Sequence, residues 1–200
     1  TKAVAEAGAH AALVSTPYYN KPNEAGLRAH FEAVAESAPE LPMVLYNIPS
    51  RVVINMAPGF LSELSSIDNV VAVKQANDDE LGPVEGMDVL AGNDNVFGRT
   101  LEFGGAGGIL VASHLVGDRM REMWDAAQGG DMERAREIDA GLQPLYAALG
   151  VTTNPIPLKA ALEMLDLDSG RMRLPLVPVD DEQRAVVRTA LESAGVLAAL

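Results

Sequence analysis

Five short apolar runs, four of them bounded by proline or by glycine and one by a lysine, constrain the fold of this chain more than any other feature. Ala11-Ala12-Leu13-Val14-Ser15-Thr16 stops at Pro17, and Met43-Val44-Leu45-Tyr46-Asn47-Ile48 stops at Pro49. Val70-Val71-Ala72-Val73 runs into Lys74, and Met87-Asp88-Val89-Leu90-Ala91 ends at Gly92-Asn93-Asp94. Ile109-Leu110-Val111-Ala112-Ser113 follows a glycine-rich segment at 104–108. Runs this short and this rich in β-branched residues suit buried strands. Helical spacing fills the gaps: 24–37 through Leu27, Phe31 and Val34, 57–65 with Pro58 in its first turn, and 96–103. Strand alternating with helix means parallel βαβ units. The polar and glycine residues fall past the C-terminal end of each strand, where α/β folds place their sites. From Asp118 the strands stop, and 119–127, 132–149, 156–165 and 181–194 read as helices. The expected division is therefore a strand–helix part at 1–117 and a helical part at 118–200. The first residues, up to Gly8, read as the last turns of a helix, so the chain is expected to open inside a structural unit.

Charge and composition exclude several functions. A net charge of −13 argues against nucleic acid, whose phosphates need a basic face. Anionic substrates would depend on individually placed cations. There is no cysteine, hence no disulfide framework and no thiol chemistry. No run approaches a membrane span and no leader is recognisable, so a cytoplasmic protein away from membranes is expected. His10, His30 and His114 lack ligand spacing, and no metal site is expected. Asp78, Asp79 and Glu80 read as a solvated loop. Gly104 to Gly108 precedes its strand and lacks both nucleotide fingerprints, so close backbone packing is the better account.

Lys74 is the residue that asks for chemistry. It is one of only four lysines, with Lys2, Lys21 and Lys159, and it ends an apolar strand. Desolvation lowers the pKa of such an amine, and a neutral amine can form a Schiff base with a carbonyl. The bland alternative is a strand-end lysine that reaches solvent or pairs with Asp78 or Glu80. Tyr46 ends its own strand and can pass protons; equally, it can be a core tyrosine whose hydroxyl finds a carbonyl. Arg51, two residues past Pro49, could grip a carboxylate or simply be solvated. Tyr18 and Tyr19 form a loop pair suited to recognition or to a subunit contact. Met120, Met123 and Trp124 share helical spacing and read as core or interface.

These stretches resemble a known family. Thr16-Pro17-Tyr18-Tyr19-Asn20-Lys21-Pro22, Leu45-Tyr46-Asn47-Ile48-Pro49-Ser50-Arg51 and Val73-Lys74-Gln75-Ala76 stand in the order and near the spacing of the dihydrodipicolinate synthase family. Gly92-Asn93-Asp94, Gly107-Gly108-Ile109 and Asn154-Pro155-Ile156-Pro157 extend the match over nearly the whole chain. The resemblance implies a TIM (β/α)8 barrel, of which this chain would carry the last five strand–helix units, plus a C-terminal helical extension. It implies condensation of pyruvate with aspartate semialdehyde towards lysine, with no cofactor, in a homotetramer. By the same resemblance Lys74 is the Schiff-base lysine, Tyr46 relays protons above it, and Tyr19 reaches a neighbouring subunit's site. Arg51 receives the semialdehyde carboxylate, Gly92 and Ile109 line the pocket with backbone, and Tyr18 lies near a feedback site. The sequence departs from the pattern at Gln75, where glutamate is usual, and at Asn93, where aspartate is common. The stretch from Lys74 to Gly92 is short, so the helix after that strand is expected to be cut down or lost. The family's first three strand–helix units, which carry a threonine pair that binds pyruvate, have no counterpart. Two other readings stay open: a sister aldolase for sialic or sugar acids on the same scaffold, and an inactive partial-chain paralogue. The 200 residues by themselves are expected not to be a competent catalyst.

Overall fold

A computed structural model describes residues 1–198. Its contacts divide the chain into two compact units that meet at Ile109 and Leu110. The sequence-drawn boundary at 117/118 falls within a helix of the second unit.

The first unit opens with helix α1 (Lys2–Glu6), followed by strand β1 (Ala12–Ser15), helix α2 (Glu24–Glu36) and strand β2 (Met43–Asn47). Two short helices, α3 (Pro49–Val52) and α4 (Pro58–Leu64), lead to strand β3 (Val70–Gln75). A single 3-10 turn (Asp78–Glu80) lies between β3 and strand β4 (Asp88–Ala91), as the shortened spacing implied. A second 3-10 turn (Asp94–Val96), helix α5 (Phe97–Glu102) and strand β5 (Gly107–Gly108) complete the unit. The strands form one sheet in the order β1-β2-β3-β4-β5, every pair parallel.

Alternation along each strand separates two faces. Met43 and Leu45 of β2, Val73 of β3 and Val89 of β4 are buried against Leu27 and Phe31 of α2 and Phe60, Leu61 and Leu64 of α4. Val44, Tyr46 and Lys74 alternate to the opposite face and are half-buried. The register sets Ser15 beside Tyr46, Tyr46 beside Lys74 and Lys74 beside Leu90, so one row crosses four strands near their C-terminal ends. α2 starts where Asn23 Oδ1 accepts the Gly26 N–H at 2.9 Å, satisfying one of the free donors of its first turn.

The fifth strand differs from the reading of the sequence. Pairing occurs through Gly107 and Gly108 with Leu90 and Ala91, and the apolar run that follows does not extend the ladder beyond Ile109 N–H to Ala91 O at 3.0 Å. Ser113 already belongs to a helix, and its hydroxyl donates to Leu110 O at 2.7 Å. The glycines do serve close packing: a Cβ on Gly105 would lie 2.4 Å from Thr100 Cγ2 and 2.8 Å from Thr100 O.

The second unit is helical: α6 (Ser113–Gln128), α7 (Met132–Leu149), α8 (Ile156–Met164) and α9 (Asp181–Ser193). Asp180 caps α9 through a reciprocal box with Gln183, and Asp131 caps α7. Met120 and Met123 are buried, in keeping with their core spacing.

Candidate active site

Lys74 and Tyr46 meet at the C-terminal end of the sheet. Their Cα positions are partners in the ladder, and Lys74 Nζ lies 4.3 Å from the centroid of the Tyr46 ring. The ring face attracts the ammonium but supplies no counter-charge. Burial pushes the Lys74 amine below the ordinary lysine range, with Asp94 working against it. Burial likewise raises the Tyr46 phenol, opposed by the nearby Arg51 guanidinium. The pair therefore places an amine whose charged form is disfavoured by burial against a phenol whose ionised form is disfavoured too.

The carboxylates named as alternative partners for Lys74 are engaged elsewhere, while the amine itself stays half-buried. Asp78 Oδ1 and Oδ2 accept from Asn93 Nδ2 at 2.7 Å and Asn95 Nδ2 at 3.0 Å. Glu80 Oε2 accepts from Asn55 Nδ2 at 2.8 Å. Two other lysines have carboxylates instead: Lys159 donates to Asp168 at 2.9 Å, and Lys2 faces Glu6 at 4.0 Å.

Arg51 sits in the last turn of α3, a helix that the spacing of the sequence does not mark. Pro49 at its first position presets the backbone for that turn. Gly92 follows β4, and its N–H donates to Gln75 O at 2.7 Å. A Cβ there would lie 2.6 Å from that same oxygen, so only glycine lets the β4 turn approach β3 so closely. Ile109 is 40% exposed beside the end of β4. Tyr19 is not packed against this group: it is 91% exposed, at φ 75°, and Tyr18 is 76% exposed.

Sequence reasoning missed a layer of amides behind the pair. Asn47 and Gln75, each one residue past a site residue, are fully buried and bonded to each other. It also passed over Asp94, taken as a turn residue, which biases Lys74. Among the described residues no group of three His, Asp or Glu side chains could hold a metal ion, and no helix is long and apolar enough to cross a membrane.

The model of the dihydrodipicolinate synthetase family matches residues 1–194. The chain belongs to that family. The 4-hydroxy-tetrahydrodipicolinate synthase of Cyanothece sp. is 41% identical over 96% of this chain and 68% of its own length. That of Methanosarcina barkeri is 43% identical over 98% of this chain and 70% of its own. Crystal structures of the family superpose closely. One dihydrodipicolinate synthase gives a TM-score of 0.92 at 41% identity, and the Thermotoga maritima enzyme gives 0.94 at 35%. Each alignment covers 98% of this chain and 70% of the solved one. Within the dihydrodipicolinate synthetase family the five parallel strands are part of a TIM barrel, a fold that closes with eight.

Proposed function

We propose that this chain condenses pyruvate with aspartate semialdehyde, on the route to diaminopimelate and lysine, through an imine on Lys74. The observation that carries the reading is the desolvated Lys74 amine lying against the Tyr46 ring. Relatives with the printed name 4-hydroxy-tetrahydrodipicolinate synthase support it.

The neutral amine attacks the ketone carbon of pyruvate, and Tyr46 hands a proton to the departing oxygen, which leaves as water. Loss of a methyl proton from the imine gives an enamine. Its carbon attacks the aldehyde, whose carboxylate is gripped by Arg51. The amino group of the condensed product then attacks the imine carbon and releases Lys74. The protonated imine is itself the electron sink, so the reaction calls for neither metal nor organic cofactor. Gly92 and Ile109 line the pocket with main-chain atoms.

Tyr19 belongs to the relay of a second subunit in a homotetramer; its near-complete exposure on a loop beside the also exposed Tyr18 supports that assignment. We place the chain in the cytoplasm, a reading that rests on its likeness to relatives named 4-hydroxy-tetrahydrodipicolinate synthase.

The Tyr18–Tyr19 pair and Arg51 favour the synthase, while Gln75 and Asn93 keep open a second reading, a sister aldolase acting on sialic or sugar acids. Turnover separates the two. The chain is assayed alone and joined to the first three strand–helix units of the Cyanothece enzyme. Pyruvate-dependent consumption of aspartate semialdehyde should exceed that of longer sugar-acid aldehydes. The reverse order moves the chain to the sister reaction, and consumption of neither makes it an inactive paralogue.

A further inference from the structure

One residue beyond Tyr46 and Lys74 the same two strands carry a second ladder pair, Asn47 and Gln75. Alternation sends them to the face opposite the lysine, where their exposures are 0% and 1%. Buried amides are costly unless their polar atoms are used. Asn47 uses both ends of its amide. Its Nδ2 donates to Gln75 Oε1 at 3.0 Å, Asn55 Oδ1 at 2.9 Å and Met56 O at 3.2 Å, while its Oδ1 accepts the Met56 N–H at 3.0 Å. Gln75 Oε1 also accepts the Asn77 N–H at 3.0 Å. Asn55 Oδ1 takes a further bond from Asn77 Nδ2 at 3.0 Å. One amide centre thus joins the strand of Tyr46, the strand of Lys74, the turn after Lys74 and the segment that follows the Arg51 helix.

We propose that the Asn47–Gln75 pair is a positioning clamp for the imine chemistry. It fixes the spacing of β2 and β3 at their C-terminal ends, and with it the approach of the Tyr46 ring to Lys74 Nζ. The inference rests on the roles given above to Tyr46 and Lys74. Main-chain pairing of β2 with β3 continues only to Ala76 N–H, which donates to Asn47 O at 2.9 Å. At the level of that last bond the side-chain amides add a second tie between the two strand ends. Lys74 is half-buried on a flexible stem, so its position depends on the ring it lies against and on the distance between the two strands. Gln75 uses only its oxygen; Nε2 has no protein partner. The position therefore calls for an acceptor, which glutamate supplies and methionine does not. Asn47 must both donate and accept, which no isosteric apolar residue can do.

The test uses the form that turns over, with a crystal structure beside it. Gln75→Met should lower kcat about 100-fold, the effect of a misplacement of roughly 1 Å, and leave the pyruvate KM nearly unchanged. Gln75→Glu should restore kcat. Asn47→Leu should reproduce the Gln75→Met loss. In the Gln75→Met crystal structure Lys74 Nζ should sit farther from the Tyr46 centroid than 4.3 Å. Wild-type kcat in Gln75→Met, a Gln75→Glu variant as impaired as Gln75→Met, or an unchanged Lys74–Tyr46 distance overturns the clamp. A wild-type protein that forms no imine refutes the catalytic reading instead, and the crystal structure still decides whether the pair sets the distance.

Discussion

At the scale of single residues, Lys74 carries a signature in stability as well as in chemistry. Burial lowers its pKa below the ordinary 10.5. Between the lowered value and 10.5 the unfolded chain holds a proton that the folded chain has released. Stability therefore rises with pH through that window. Below the window the folded state bears a half-desolvated charge; above it neither state does. Lys74→Met should consequently melt higher than wild type near neutral pH, with the gap closing as pH approaches 10.5. A variant that melts lower at neutral pH would contradict the desolvation. In the proposed reaction Arg51 grips the second substrate. Arg51→Ala removes a charge-assisted contact worth about 1.5–3 kcal/mol. The KM for aspartate semialdehyde should rise about tenfold or more while imine formation with pyruvate is nearly retained. Equal loss of the imine would assign Arg51 to pyruvate.

At the scale of elements, the sheet is held in place by α2 and α4 packed on the face away from the lysine. Phe31, fully buried among Leu27, Leu45 and Val73, is the largest single contributor from α2. Phe31→Ala should cost about 3–5 kcal/mol in denaturant unfolding. A loss under 1 kcal/mol would mean that the helix does not carry the sheet. Such elements were legible because their periods are: α2, α4, α7 and α9 lie within two residues of the spans read from spacing alone. α3 was not legible, because four residues carry no period and only Pro49 marks the turn. β5 was misread for a different reason. Side-chain pattern pointed to Ile109-Leu110-Val111, but the ladder is made by the backbone of Gly107 and Gly108, which have no side chains to form a pattern. At the candidate site, Lys74 and Tyr46 stood out as residue types at strand ends, whereas Gly92 was reached only through the family resemblance. Asn47 looked like an ordinary polar residue next to a turn, and Gln75 only like a departure from the family pattern, until the register of β2 against β3 placed both on the buried face.

At the scale of the molecule, five parallel strands run in sequence order, and among the described residues β1 and β5 each have one partner. Leu13 and Val71 are exposed by 47% and 44% although both stand in strands. Unpaired edges and bare apolar strand residues invite association. The chain spans 68% and 70% of its Cyanothece and Methanosarcina barkeri relatives. Residues 1–200 alone should therefore bind a hydrophobic dye, and joining the first three strand–helix units of the Cyanothece enzyme should abolish the binding and raise turnover. Equal dye binding and turnover in both forms would mean that the five strands need no complement. The central claim is that Lys74 is the imine-forming amine. Borohydride reduction in the presence of pyruvate, followed by peptide mass spectrometry on both forms, tests it most directly. The account predicts one reduced pyruvate unit on the peptide that contains Lys74, and none in Lys74→Met. Labelling at Lys21 or Lys159 instead, or no labelling in either form, would contradict it.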